Sequence, residues 1–201
     1  MGKIYTVILA AGISSRLGFN KLTLKIDGQT VIRRSIVPFL TGGIDRVFVV
    51  TGPEEDNIKK ELEGFTLKFI ENPYYMEGMS TSIKAVLPFI SDADGVFFHL
   101  GDKPFVKQET IHLMLNSYIN GGANMIVPAY KNVKGHPVLI GISPYIEEMR
   151  LLKGDRGLRE IIEKHLKDVL FVEGDEGNVF DIDNIEDVNI LKERGYKIEE
   201  G

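Results

Sequence analysis

Val7-Ile8-Leu9-Ala10-Ala11-Gly12-Ile13-Ser14-Ser15-Arg16-Leu17-Gly18-Phe19-Asn20-Lys21 decides how the rest of the chain is read. The stretch opens as an apolar run suited to a buried strand and breaks at Ala-Ala-Gly. Small residues let the backbone approach a ligand closely. Unpaired N–H groups in such a loop face anions, and Arg16 and Lys21 add full positive charge. This is the chemistry of a polyphosphate cradle at the end of a first strand. A P-loop requires G-x-x-x-x-G-K-[ST], but the position five after Gly12 is Leu17 and no Lys-Ser/Thr pair follows. A dinucleotide fingerprint requires G-x-G-x-x-G, and here only Gly12 and Gly18 are present. The plain alternative is an ordinary strand-to-helix loop.

Outward from this stretch, apolar runs alternate with helical patterns. The runs predict strands at Ile4–Leu9, Val47–Val50, Leu67–Ile70, Val96–Leu100, Met125–Val127, Val138–Ile142, Val169–Val172 and Val179–Ile182. Helices are expected at Val31–Leu40, Glu54–Leu62, Ser80–Ile90, Lys107–Asn120, Pro144–Leu152, Leu158–His165 and Ile185–Arg194. Pro38 implies a kink or an early end in the first of these. Strands alternating with short helices predict an α/β fold with a mostly parallel sheet covered on both faces. No linker or repeat divides the chain, so residues 1–201 are read as a single domain, with the tail from Glu199 expected to fray.

Composition narrows the function. The chain of 201 residues is 43% hydrophobic and 26% charged, which is ordinary for a globular protein. A net charge of −5 argues against general nucleic-acid binding, because no basic excess exists to neutralise phosphates. The absence of Cys excludes thiol catalysis, disulfides and thiolate metal sites. No run approaches the roughly 18 apolar residues needed to cross a bilayer, and the N-terminal run is too short for a signal peptide. A cytoplasmic protein without membrane contact is the expectation.

Ligands of open α/β sheets sit beyond the carboxyl ends of strands. Asp102 follows the run Val96–Leu100 and is suited either to a turn or to Mg²⁺, which takes one or two protein carboxylates and completes its octahedron with phosphates and water. Asp183 is the natural second ligand, or else a helix N-cap, a task Asn184 can equally perform. Asp181 lies two residues away, on the same face of a predicted strand, and is the rival ligand. Gly78 to Ser82 reads as a loop entering a helix, with Ser80 as N-cap and an N-terminus able to take an anion or a base edge. Gly135-His136-Pro137 and Gly154-Asp155-Arg156-Gly157 are glycine-punctuated polar loops of the kind a substrate pocket needs. Nothing adjacent supplies a Ser-His-Asp constellation, and His99 inside an apolar strand reads as structural.

Together the motifs resemble those of the nucleotidyltransferases similar to molybdenum cofactor cytidylyl- and guanylyltransferases. The likeness rests on Leu9-Ala10-Ala11-Gly12-x-Ser14-Ser15-Arg16-x-Gly18-x-Asn20-Lys21-Leu22 and continues in order through Glu77–Ser82, Leu100–Val106, Gly135–Pro137, Gly154–Gly157 and Asp181–Asp187. The resemblance implies a Rossmann-like three-layer α/β/α fold of the nucleotide-diphospho-sugar transferase type. It also implies Mg²⁺ dependence and transfer of a nucleoside monophosphate with release of pyrophosphate. Leu-Ala-Ala-Gly resembles the cytidylyl branch, where the guanylyl branch shows Leu-Ala-Gly-Gly. The implied partners are therefore CTP and a phosphorylated acceptor, molybdopterin cofactor, with transient contact to a molybdoenzyme or its chaperone.

The resemblance implies nucleotide binding by Leu9, Ala10, Ala11, Gly12, Arg16, Lys21, Gly78, Ser80, Ser82 and Asp102. Arg16, Lys21 and Asp102 would be catalytic, and Asp102 and Asp183 would hold the metal. Pro104, His136, Pro137, Gly154 and Asp155 would bind the acceptor. Lys103 departs from the Met common at its position and adds positive charge near the acceptor. Three rivals stand beside this reading. They are a same-fold enzyme using GTP or another NTP with a sugar- or polyol-phosphate, a nucleotide-sugar glycosyltransferase, and a non-catalytic nucleotide sensor.

Overall fold

The computed structural model describes residues 2–13, 17–121 and 123–200. In chain order its elements are β1 (Ile4–Ala10), β2 (Lys25–Ile26), β3 (Gln29–Thr30), α1 (Val31–Ile36), β4 (Arg46–Thr51), α2 (Glu55–Glu61), β5 (Lys68–Glu71), α3 (Met79–Ile90), β6 (Gly95–Leu100) and α4 (Gln108–Ile119). They continue with β7 (Met125–Tyr130), β8 (Val133–Lys134), β9 (Val138–Gly141), α5 (Ile146–Leu151), α6 (Arg159–Lys164), β10 (Val169–Glu173), α7 (Glu176–Val179), α8 (Ile185–Glu193) and β11 (Ile198–Glu199).

Side chains of β1 alternate between the two faces of the sheet. Ile4, Ile8 and Ala10 enter one apolar cluster, while Tyr5 and Val7 enter the other. Because both faces are covered, the strand reads in sequence as a nearly continuous apolar run, broken only by the buried Thr6. The first cluster takes residues from α1, α2, α4 and α8, and the second from α3, α5 and α6. The result is the expected three-layer, Rossmann-like α/β/α fold. Among the described residues no helix is long and apolar enough to cross a membrane.

The main sheet runs β10-β7-β9-β6-β1-β4-β5, with β8 paired to β7. β1 lies between β4 and β6 and is parallel to both. β9 departs from the parallel rule and is antiparallel to both of its neighbours. It does so because β7 turns directly into β8 through Lys131-Asn132, both at positive φ (48° and 66°). That is the backbone of a primed two-residue hairpin turn, which returns the chain antiparallel without a crossover helix.

A second small sheet, β11-β2-β3, was not anticipated. Its signal was present as Asp27-Gly28, at φ 51° and 79°, between paired Ile26 and Gln29. Asp-Gly accommodates the positive φ that such a hairpin requires. β11 also corrects the expected fraying at Glu199, while Gly201 lies outside the described residues. Glu199 pairs with Lys25 and Ile198 with Ile26, while the Asp27 amide donates to Lys197 O at 2.8 Å.

Helix α1 ends at Ile36 and passes into a 3-10 turn, Val37–Phe39, around Pro38, the early end that proline imposes. The larger correction is at Val179–Ile182, which is not a strand. Val179 closes α7, which is opened by a capping box between Asp175 and Asn178. Asn178 is fully buried and donates through Nδ2 to His136 O at 2.8 Å. These polar contacts outweigh the strand preference of Val179, Phe180 and Ile182.

Candidate active site

Register builds the site. Leu9 of β1 lies opposite Leu100 of β6, and the Gly101 amide donates to Leu9 O at 3.0 Å. The loops leaving the two carboxyl ends therefore emerge side by side, Ala11–Gly12 from one strand and Gly101–Lys103 from the other. The chain leaves β1 for β4 on one side and returns to β6 on the other, so this crevice is the topological switch point of the sheet. The third contributor is the segment between α7 and α8, whose Ile182 amide donates to Asp102 O at 3.3 Å.

Lys21 Nζ lies 2.6 Å from Asp102 Oδ2 and 2.6 Å from Asp183 Oδ1. Burial alone would lower the pKa of this ammonium. Asp102 and Asp183 outweigh it and hold the pKa above the ordinary lysine value, so Lys21 is charged. Asn184 performs the N-cap duty of α8 by accepting from the Asp187 amide at 3.1 Å. Asp187 in turn accepts from the Asp183 amide at 2.8 Å.

Because its segment is not a strand, Asp181 does not share a face with Asp183. It turns to Lys103, 3.4 Å away. Burial raises the Asp181 pKa, with Lys103 opposing and Asp102 and Asp183 adding to the rise.

Among the described residues no three His, Asp or Glu side chains converge as a metal cage. Mg²⁺ does not require one, since substrate phosphates and water supply the remaining ligands. Asp102 Oδ1 is buried with no hydrogen-bond partner among the described residues. A buried acceptor oxygen without a donor is costly, and its lone pairs fit a hard cation. Asp102, with Asp183 on the other side of the same ammonium, could offer carboxylate oxygens to a hard cation.

The entry to α3 differs from expectation. Its N-cap is Gly78, at φ 104°, and not Ser80. A Cβ on Gly78 would lie 2.6 Å from the Gly154 carbonyl carbon and 2.7 Å from Asp155 Oδ1, so the two loops meet where only glycine fits. The Met79 amide donates to Asp155 Oδ1 at 3.2 Å and the Ser80 amide to Gly154 O at 3.0 Å. The helix N-terminus already receives a protein carboxylate, which complements its dipole, and those two amides are not open to an anion. Asn72, buried and unremarked in the sequence, donates to Thr81 Oγ1 at 2.9 Å and Ser82 Oγ at 3.0 Å.

Two cavities open on this crevice. One, of about 220 Å³, is lined by Leu9 to Ile13, Lys21, Gly78, Ser82, Asp102 and Asp155, with Leu22, Tyr75 and Met79, to which the sequence assigned no site role. The other, of about 430 Å³, has an apolar floor including Phe98, Val127 and Ile162, and a polar rim including Lys103, Lys134, His136, Arg156, Arg159 and Asp181. Leu9, Met79, Leu100 and Asp155 line both, so the cavities adjoin.

Several expected residues are not brought to either wall. Ser80 is buried, Pro104 and Pro137 are buried behind the cavities, and Gly154 contributes its carbonyl to α3. Arg16, expected at the phosphates, lies outside the described residues, as do Ser14 and Ser15.

His99 is fully buried and its ring stands 6.5 Å from that of His136. Burial lowers the His99 pKa well below the ordinary value, and burial with the nearby Lys103 charge lowers that of His136 to about 4. Both folded values lie below the unfolded one, so the unfolded chain binds more protons between pH 6.5 and about 4. The stability from neutral burial is fully present above pH 6.5 and is lost as pH falls through that window. For His136 the loss is on the order of 3 kcal/mol. Urea unfolding from pH 7.5 to 4.5 should show a steeper decline for the wild type than for His136→Gln; parallel curves would refute the assignment.

Residues 6–169 match the MobA-like NTP transferase domain. The chain is 30% identical, over 98% of its length and 100% of the relative's, to the molybdenum cofactor cytidylyltransferase of Escherichia coli K12. Among solved structures it superposes with a TM-score of 0.82 on a Mycobacterium sp. strain JC1 homologue of a Mycobacterium tuberculosis protein. The identity there is 25%, with 94% of this chain and 96% of the other covered. A nucleotidyl transferase from Methanothermobacter superposes with a TM-score of 0.79 at 21% identity, covering 96% of this chain and 97% of the other, and shares the fold. With lysine and two aspartates gathered at the switch point of such a sheet, the chain belongs to the MobA-like NTP transferase family and is a nucleotidyltransferase.

Proposed function

We propose that this enzyme transfers CMP from CTP to the terminal phosphate of molybdopterin cofactor and releases pyrophosphate. The observation that carries the reading is the Lys21 ammonium bridging Asp102 and Asp183, with Lys21 and Asp102 on the wall of the smaller cavity. The smaller cavity, beside Ala11, suits a single-ring base, and the full-length relative is a cytidylyltransferase. The larger cavity, apolar below and rimmed by Lys134, Arg156 and Arg159, suits a ring-bearing acceptor with a phosphate.

In the proposed reaction an acceptor phosphate oxygen attacks the α-phosphorus of the nucleotide in line. A new P–O bond forms, the α–β anhydride bond breaks, and pyrophosphate departs with the electron pair. A phosphate monoester is already anionic at neutral pH, so no protein base is required. Catalysis consists of positioning and charge stabilisation. Lys21 neutralises charge building at the α-phosphate, and Arg16 is assigned to the departing pyrophosphate, where bidentate donation suits arginine. Asp102 and Asp183 would hold Mg²⁺, which when bound would supply charge to offset the repulsion between two phosphate groups.

A pyrophosphate-release screen tests the reading. CTP and GTP are each paired with molybdopterin cofactor and with sugar and polyol phosphates. CTP with molybdopterin cofactor should give the highest kcat/KM. A faster reaction with GTP overturns the base, a faster sugar or polyol phosphate overturns the acceptor, and CTP binding without turnover for any acceptor would mark a sensor.

A further inference from the structure

The segment that delivers Asp183 has no strand ladder, yet Asp183 meets a lysine 162 residues away in the chain. Something other than sheet pairing must fix it, and Lys103 is placed to do so. Its side chain is only 5% exposed, which is unusual for lysine unless its charge is paired. Nζ donates to Val179 O at 3.2 Å and lies 3.4 Å from Asp181 Oδ2. Its own backbone is anchored at the end of β6. The Lys103 amide donates to Leu100 O at 3.3 Å, and the Lys103 carbonyl is 3.2 Å from His99 Nε2.

Adjacent residues of one turn therefore grip alternate points of the segment. Asp102 takes Ile182 through its carbonyl, and Lys103 takes Val179 and Asp181 through its ammonium. Ile182 is completely buried, so the segment cannot swing without unpacking a core residue. Asp183 is the next residue, presented to Lys21 and Asp102.

We propose that Lys103 is the positioning residue that holds the Asp183-bearing segment against Asp102. The ammonium does not touch the reacting atoms in this role; it sets where the second carboxylate stands. The functional consequence rests on the reading of Asp102 and Asp183 as metal carboxylates, whereas the geometric claim does not.

The test uses the full chain without nucleotide. Amide hydrogen exchange is measured by NMR in the wild type, Lys103→Met and Lys103→Gln. Lys103→Met should speed exchange of the Ile182 amide about tenfold while β1 and β6 amides are unchanged. Lys103→Gln, which keeps a donor for Val179 O and serves if the Met variant does not fold, should fall between. Mn²⁺ binding is then followed by electron paramagnetic resonance.

Lys103→Met should weaken Mn²⁺ binding about tenfold or more, the range seen when groups that orient metal ligands are removed. The same substitution in an Asp183→Asn background should weaken it less than about twofold, because residues acting through one another are not additive. Unchanged Ile182 exchange, or an additive pair, overturns the proposal. Undiminished Mn²⁺ binding in Asp183→Asn overturns the metal reading instead, and the exchange result still decides whether Lys103 positions the segment.

Discussion

Lys21→Ala should lower kcat by about three orders of magnitude, the scale on which a preorganised charge partner at a developing anion acts. The more diagnostic result concerns metal and stability. In the free enzyme the ammonium lies between two carboxylates, 2.6 Å from each. Its removal leaves two anions facing one another, so the variant should melt lower than the wild type in chelator-treated buffer. A divalent cation can replace the lost charge, and a ligand that binds the folded state stabilises it by mass action. Added Mg²⁺ should therefore restore much of the melting temperature of Lys21→Ala and have a smaller effect on the wild type, while turnover stays low. Melting curves with and without Mg²⁺, alongside pyrophosphate release, check both halves. A variant that keeps a tenth or more of wild-type turnover, or melts identically with and without Mg²⁺, contradicts the assignment.

Asp102→Asn should leave stability nearly unchanged and still lose much of the activity. Lys21 retains Asp183, and the pair of facing carboxylates becomes a single one, so the melting temperature should change little. Turnover should fall by about a hundredfold to a thousandfold, because an amide oxygen cannot supply the charge that a bound cation needs. Asp181→Asn is the comparison. Its carboxylate turns to Lys103 and away from Lys21, so it should cost far less activity. If Asp181→Asn were as damaging as Asp102→Asn, the division of the two aspartates between two lysines would be wrong.

Much of this site was legible residue by residue. Apolar runs ending at Leu9 and Leu100 placed Ala-Ala-Gly and Asp102 at strand ends, because a strand covered on both faces is largely apolar and stops where the chain becomes polar. Pro38 announced the end of α1. The failures share one cause. Val179–Ile182 is apolar but for Asp181, yet its conformation is set by Asn178 bonded to His136, more than forty residues away in sequence. The tail after Tyr196 has a strand partner only because Lys25–Ile26 is brought beside it. Ser80 is a good capping residue by type, yet the loop at Gly154-Asp155 meets the helix first.

By itself, then, the amino-acid sequence determined the alternation of strands and helices, the apolar faces, and the residues beyond the strand ends. These depend on periodicity and local backbone preference, which extend over a few residues. Only the tertiary structure decided that Lys21 stands between Asp102 and Asp183, that Asp181 belongs with Lys103, and that Asp155 caps α3. Those are contacts between groups up to 162 residues apart, settled by strand register and by how the loops beyond the strand ends meet.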